Sequence, residues 1–315
     1  MRAVVYDGAL RLERSAPMPE LTEGDCLLKV RLAGICNTDL ELMEGMYGFS
    51  GILGHEFVAD VVEGPENLVG RRVVGEINVG CGQCDFCQKG IPSQCRDRHA
   101  VGIHNYPGAF ADYLRLPAAN LYPVADSIPD EAAVFMEPLA AALQVLESTW
   151  ISPHHRVVLL GAGKLGMLTA QAIKLTGADL VVVVRREKQA ELLNQWGIAT
   201  AHIDELPNEQ AQVVVDCTGQ AGGFADALRL VESRGTILLK STYYGLPQVD
   251  LSQVAVRELR VVGSRCGPFP AGLRLLEQGL VDVQSLIEAR YSLDDVLEGF
   301  AHAGRKGALK VLLQP

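Results

Sequence analysis

The stretch Val157-Val158-Leu159-Leu160-Gly161-Ala162-Gly163-Lys164-Leu165-Gly166 decides the fold. Four apolar residues read as a buried strand, and the glycines after them read as a tight turn into a helix over 164–175. A G-x-G-x-x-G placed between strand and helix is a dinucleotide fingerprint. Gly161 makes the turn, Gly163 lets a pyrophosphate approach the backbone, and Gly166 lets the helix pack on the sheet. Lys164 and Leu165 open the helix, whose N-terminus offers N–H groups and partial positive charge to phosphates. A glycine-rich turn without a ligand is the bland alternative, and the strand-to-helix context favours the nucleotide.

Working outward, short apolar strands at 157–160, 181–184, 213–215, 237–239 and 261–262 alternate with helical segments. That alternation predicts a parallel sheet with crossover helices. The expected class is α/β, a doubly wound (Rossmann) sheet over residues 128–264, with Thr218 as a further cofactor contact. Residues 1–127 differ in texture: short strands at 4–6, 26–32, 57–62 and 72–74 are broken repeatedly by glycine and proline. Pro129 stands ahead of Asp130 and Glu131 and opens an alanine-rich helical stretch through 132–146. Residues 265–315 return to mixed helix, end in a strand at 308–313, and are expected to rejoin the first domain.

The strand at 181–184 bears on the choice of nicotinamide cofactor. An NAD site presents a carboxylate at its end, accepting from both ribose hydroxyls. Here the strand runs into Arg185-Arg186, with Lys188 beyond; Asp179 lies before it and Glu187 after it. Guanidinium groups match a 2′-phosphate through bidentate, charge-assisted bonds, so NADP(H) is expected over NAD(H). Stacking of Arg185 on adenine would instead tolerate either cofactor, and a solvated helix start is the bland reading.

The composition suits an ordinary enzyme. A chain of 315 residues favours about two domains, and 48% hydrophobic content supplies large cores. A formal charge of −10 argues against a nucleic-acid or membrane-surface role. No apolar run approaches the roughly 20 residues of a bilayer span, and residues 1–10 lack the layout of a signal peptide. The cysteine usage suits a reducing compartment, with the cytoplasm as the default.

Four of the 8 cysteines, Cys81, Cys84, Cys87 and Cys95, form a C-x2-C-x2-C-x7-C run in a lobe over 80–96. Such thiolates converge on one tetrahedral zinc, and four of them close the site, making it structural. Gly80, Gly82 and Gly90 are expected to allow unusual φ there. Elsewhere, Ala33-Gly34-Ile35-Cys36-Asn37-Thr38-Asp39 and Gly54-His55-Glu56-Phe57 supply a thiol, a hydroxyl, an imidazole and a carboxylate. Cys, His and Glu are all zinc ligands, and a catalytic zinc keeps one position open. Singly they would be a buried thiol, a surface imidazole and a solvated charge; together they make a coherent site.

With these motifs on view, the chain resembles the zinc-dependent medium-chain dehydrogenase/reductase superfamily, the alcohol and polyol dehydrogenases. The resemblance runs end to end and takes in Gly-Ala-Phe-Ala-Asp-Tyr at 108–113 and Met-Glu-Pro-Leu-Ala at 136–140. It implies a GroES-like catalytic domain over 1–127. It also implies Cys36 and His55 as catalytic zinc ligands, Glu56 as a ligand or switching neighbour, and Glu137 at the remaining position, bound directly or through the zinc water. Simple alcohol dehydrogenases carry a cysteine there, so Glu137 tilts toward polyols or sugars over other secondary alcohols. Thr38 would pass the hydroxyl proton toward the cofactor ribose, Asp39 would hold the distal nitrogen of His55, and Lys310 would be a cofactor contact. The set then comprises two zinc ions, NADP(H) and a small alcohol or carbonyl substrate. No nucleic-acid or membrane partner is expected, and the assembly would be a homodimer or homotetramer. One departure stands out: Glu41 occupies a place where related enzymes often carry a histidine, so the proton exit runs through a carboxylate or through water. The chain is also shorter than most of the superfamily, around 64–72 and near its end, and such loops shape substrate pockets. Tyr47, Phe49, His104, Tyr106 and Arg265 are the candidate lining residues. A nucleotide-binding sensor or structural protein without turnover is the alternative, and the complete set of ligands with Thr38 argues against it.

Overall fold

Among the described residues, six parallel strands build the unit formed by Pro138–Pro268, in the order Ala199–Ala201, Asp179–Val183, Arg156–Leu160, Ala211–Asp216, Val231–Leu239, Arg260–Gly263. The computed structural model describes residues 1–240, 242 and 248–315. From the central strand Arg156–Leu160 the chain works outward to one edge, then returns to Ala211–Asp216 and works toward the other. The order reverses between those two strands, and this switch point is where an open α/β sheet receives its ligand. Val158, Leu160, Val214 and Ile237 are fully buried under the helix Gly223–Leu230, which contributes Phe224 and Leu228. The strand Ala199–Ala201 was not expected: it is three residues long with no apolar run, and only its parallel pairing with Val181, Val182 and Val183 defines it. The expected helix over 132–146 is two, Asp130–Ala133 and Met136–Ser148. Pro138 falls in the first turn of the second, where its missing N–H breaks no helical bond.

The other unit, Met1–Glu137 with Phe269–Pro315, is built on an antiparallel-rich sheet. Its order is Leu121–Pro123, Arg72–Gly75, Glu56–Glu63, Asp25–Ile35, Lys310–Gln314, Ile287–Ser292, with Tyr113–Pro117 also pairing Asp25–Ile35. Leu28, Ile35, Leu53, Phe110, Val311 and Leu313 meet in its core. The register positions the site. Gly34 pairs with Glu56 on one side and with Leu312 on the other, so the end of the chain lies beside the Cys36 and His55 motifs. A small sheet of Asn78–Val79, His99–Val101 and Asn105–Tyr106 brackets the cysteine lobe. Among the described residues no helix is long and apolar enough to cross a membrane.

Candidate functional site

Cys36 stands between the strand Asp25–Ile35 and the helix Asn37–Met43. Its N–H donates to Asp39 Oδ2 at 2.8 Å, while Asp39 Oδ1 faces His55 Nδ1 at 3.2 Å, so one buried carboxylate orients both residues. His55 is held from the other side by its own turn. Gly54 has φ +100, and a Cβ there would lie 2.4 Å from the Phe110 ring. Phe110 itself is fixed by its N–H on the Leu53 carbonyl at 2.9 Å, and Ala109 by its N–H on the Gly54 carbonyl at 2.8 Å. That is the local work of the 108–113 segment.

Cys36 Sγ, a ring nitrogen of His55 and a carboxylate oxygen of Glu56 lie within 4.8 Å of one another. Glu56 Oε2 accepts from the ammonium of Lys310, and both side chains are buried. Glu56 Oε1 is buried without a hydrogen-bond partner among the described residues. Burial alone would lower His55, but the charges of Asp39 and Cys36 outweigh it and hold the ring well above its ordinary value. Such surroundings favour a cation. A cysteine sulfur, an imidazole and an unsatisfied carboxylate oxygen, within chelating distance and in an electronegative pocket, fit zinc. Thr38 Oγ1 lies 3.8 Å from Cys36 Sγ. Glu41 is half-buried; burial raises its carboxyl, a bond from Asn37 opposes this, and its Oε2 has no partner among the described residues.

Glu137 opens the helix Met136–Ser148 and stands outside the 4.8 Å group. Burial, reinforced by Glu56 and Glu76 and opposed by His55 and Lys310, pushes its carboxyl up to about 7. Glu76 is an acid that sequence reasoning missed. Its Oε1 accepts from the Asn78 N–H at 3.1 Å and its carbonyl from Asn120 Nδ2 at 2.8 Å, which hold it toward the same region. A lone acid after a strand, with partners 2 and 44 positions away, carries no signal in sequence. Lys310, expected as a cofactor contact, instead lies inside the sheet with its ammonium on Glu56 and 5.6 Å above the Phe135 ring. Of the candidate lining residues in this unit, Tyr47 and His104 are exposed, whereas Phe49 and Tyr106 pack partly against the core.

The four-cysteine lobe forms a second group within 4.8 Å, and Cys84 Sγ and Cys95 Sγ are 3.7 Å apart. A tetrahedron with Zn–S bonds of ~2.3 Å has edges of about 3.8 Å, so the spacing fits a closed zinc site. N–H groups of Arg96 and Cys87 draw the Cys84 thiol down to about 6, while burial and the neighbouring Cys95 push the Cys87 thiol up to about 12. Arg96 braces the lobe by a bidentate pair with Asp85 at 2.9 and 3.1 Å. Gly82 and Gly90 do take φ of +73 and +74, but Gly80 does not. Its role is room: a Cβ there would sit 2.9 Å from Cys87 Sγ.

In the parallel-sheet unit the fingerprint glycines divide their work. Gly161 has φ +94, and a Cβ on Gly166 would stand 2.0 Å from the Gly161 carbonyl oxygen. Gly163 has nothing within 4 Å of such an atom, leaving space beside the backbone at the start of the helix Lys164–Lys174. Lys164 and Leu165, half-buried, form that helix's first turn. Thr218 donates from its hydroxyl to the buried Asp216 Oδ1 at 2.7 Å and so shapes the turn after Ala211–Asp216. Arg185 and Arg186 are exposed just past Asp179–Val183; Asp179 is engaged at the strand's start by Arg156 at 2.8 Å. Arg265 is exposed just past Arg260–Gly263.

Comparison with known proteins bears on the family and the fold. Residues 22–126 match the alcohol dehydrogenase GroES-like domain family, and residues 165–278 match the zinc-binding dehydrogenase family. The chain is 30% identical to D-arabinitol dehydrogenase 1 of Uromyces fabae, over 95% of this chain and 93% of that one. It is 31% identical to L-threonine 3-dehydrogenase of Chelativorans sp. (strain BNC1), over 99% and 98%. Among solved structures, a zinc-binding dehydrogenase from Sinorhizobium meliloti 1021 bound to NADP superposes with a TM-score of 0.91 at 29% identity, covering 100% of this chain and 99% of that one.

Proposed function

Because this chain belongs to the zinc-dependent medium-chain dehydrogenase/reductase superfamily and is an oxidoreductase of the alcohol and polyol dehydrogenase type, we propose that it moves a hydride between NADP(H) and the hydroxyl or carbonyl carbon of a polyol, sugar or secondary alcohol. The observation that carries the reading is the convergence of Cys36, His55 and Glu56 within 4.8 Å, with Asp39 behind the imidazole. Zinc held there would supply a Lewis acid that lowers the pKa of a substrate hydroxyl, and a bound nicotinamide would supply the hydride acceptor.

The residues of the chain do the rest. Cys36 and His55 would hold the metal, Asp39 would keep His55 in one tautomer, and Glu56, neutralised by Lys310, would be the ligand or neighbour that completes that side. Glu137 completes the set, directly or through water. Thr38 accepts the proton released by the substrate hydroxyl and passes it outward, with Glu41 one helical turn further on as the exit group. The cysteine lobe holds the second zinc of the chain and pins its loop. Arg185 and Arg186, where a ribose-binding acid would stand, take a 2′-phosphate through charge-assisted bonds, each about 1.5–3 kcal/mol, so NADP should be preferred by roughly tenfold or more. Lys310 is assigned to Glu56 rather than to the cofactor.

The test is a screen of polyols, aldoses and secondary alcohols with NADP and NAD in parallel, repeated with Arg185→Asp and Glu137→Ala. Higher wild-type kcat/KM with NAD would overturn the assignment of the arginines. Near-wild-type kcat in Glu137→Ala, with zinc and fold intact, would overturn the polyol-type site.

A further inference from the structure

Lys240 follows the strand Val231–Leu239, is 7% exposed, and belongs to no part of the site described above. Its Nζ donates to the Ala141 carbonyl at 2.5 Å, the Arg265 carbonyl at 3.0 Å and Ser264 Oγ at 3.3 Å. A buried ammonium is costly unless acceptors surround it. Here they come from two segments far apart in sequence: the helix Met136–Ser148 and the stretch 264–267 that leaves the strand Arg260–Gly263. Gly267 presses on the same helix, since a Cβ there would stand 2.0 Å from the Ala140 carbonyl oxygen and 3.1 Å from Gln144 Cβ. The stretch is thus held to the helix by a charge at one end and by a missing side chain at the other.

Its place on the sheet gives this latch a function. Just past the strands, Cys217 N–H donates to the Leu160 carbonyl at 2.9 Å, Lys240 N–H to the Asp216 carbonyl at 3.0 Å and Ser264 N–H to the Leu239 carbonyl at 3.0 Å. The strand ends therefore continue as one stepped rim at the carboxyl edge, where a doubly wound sheet receives a dinucleotide. Gly161 to Gly166 and Arg185 lie past the strands Arg156–Leu160 and Asp179–Val183, so the pyrophosphate and adenosine belong there. The nicotinamide half then falls across the switch point, over the ends of Ala211–Asp216, Val231–Leu239 and Arg260–Gly263.

We propose that Lys240 is a positioning residue for the nicotinamide half of the cofactor, latching the stretch 264–267 to the helix Met136–Ser148 and so fixing the wall which that half meets. The inference rests on the dinucleotide reading given above. Lys240→Met keeps the length of the side chain and removes its charge. Calorimetric titration of wild type and variant uses the tighter of NADPH and NADH, together with its adenosine fragment, 2′,5′-ADP or ADP. The whole cofactor should bind about tenfold or more weaker while the fragment stays within about twofold. Gly267→Ala displaces the same stretch without touching Lys240 and should give the same split; it carries the test if Lys240→Met does not fold. Equal weakening of both ligands, or no change in either, would overturn the positioning role and leave Lys240 a structural pin. Wild-type protein binding neither dinucleotide would overturn the nucleotide reading and this inference with it, a result distinct from an unsplit pair of affinities.

Discussion

Replacing Lys310 by methionine removes the cationic half of the pair that lies deepest in the catalytic unit. The two side chains are 2% and 0% exposed, so neither charge has water to fall back on. Burial would lower Lys310, but the charges of Glu56 and Cys36 outweigh it and hold the ammonium above its ordinary value. Removing one member of a buried pair strands the other, a loss of about 3–5 kcal/mol. A metal on the neighbouring ligands offsets part of the stranded charge, so the loss should lie nearer the lower figure with zinc and nearer the upper after chelation. Lys310→Met with Glu56→Gln leaves no buried charge there and should recover most of the stability. Gly34→Ala should mimic the single variant, because its Cβ would stand 2.4 Å from Glu56 Oε2 and 3.2 Å from Lys310 Cδ. Urea unfolding at constant m reads the change. A chain of two units need not melt in one step, so amide exchange in Lys310–Gln314 locates the loss. Cofactor affinity should stay within about twofold, because the ammonium is turned onto Glu56. A single variant within about 1 kcal/mol of wild type, no better in the double, would refute the stranded-charge reasoning. Unchanged stability with about tenfold weaker cofactor binding would return Lys310 to the cofactor.

Cys95→Ser opens the four-sulfur lobe: elemental analysis should find one fewer zinc per chain, limited proteolysis should cut first within residues 80–96, and turnover should persist at low temperature, since the lobe does no chemistry. Asp25 is buried, and although burial raises its carboxyl, bonds from Thr22 at 2.7 and 3.0 Å and from Arg115 at 2.9 Å hold it below the ordinary range. A depressed folded pKa stabilises above the unfolded value, about 3.9, and that stabilisation fades as pH falls through the folded one. Asp25→Asn should therefore cost about 1.5–3 kcal/mol at pH 7, with the gap to wild type closing below about pH 4 in denaturant titrations; a gap independent of pH would count against the assignment.

What could be read in the sequence was what acts locally. The fingerprint glycines serve a turn and a helix within six positions, and the cysteines converge within fifteen, so spacing alone names the chemistry. Asp39 reaches Cys36 and His55 because a helix begins at Asn37, a start that the motif itself did not announce. The short strand Ala199–Ala201 was not legible either, because its three residues have no pattern of their own and exist as a strand only through a neighbour. For Gly80 the sequence suggests backbone freedom, whereas the constraint in the fold is a sulfur atom seven positions on.

The partnership of Glu56 with Lys310 spans 254 positions and depends on register rather than on motif. Strand Asp25–Ile35 runs between the strands that carry the two residues, and their side chains meet across it only because Gly34 presents no Cβ to the gap. A glycine in a central strand weakens it, and here the close approach of two neighbours gives it a use. The carboxylate that a sequence reading places beside zinc is thus half of a charge pair closed by the end of the chain. In the zinc site proposed above, the strand Lys310–Gln314, with no metal ligand of its own, would set the charge that Glu56 presents to the metal.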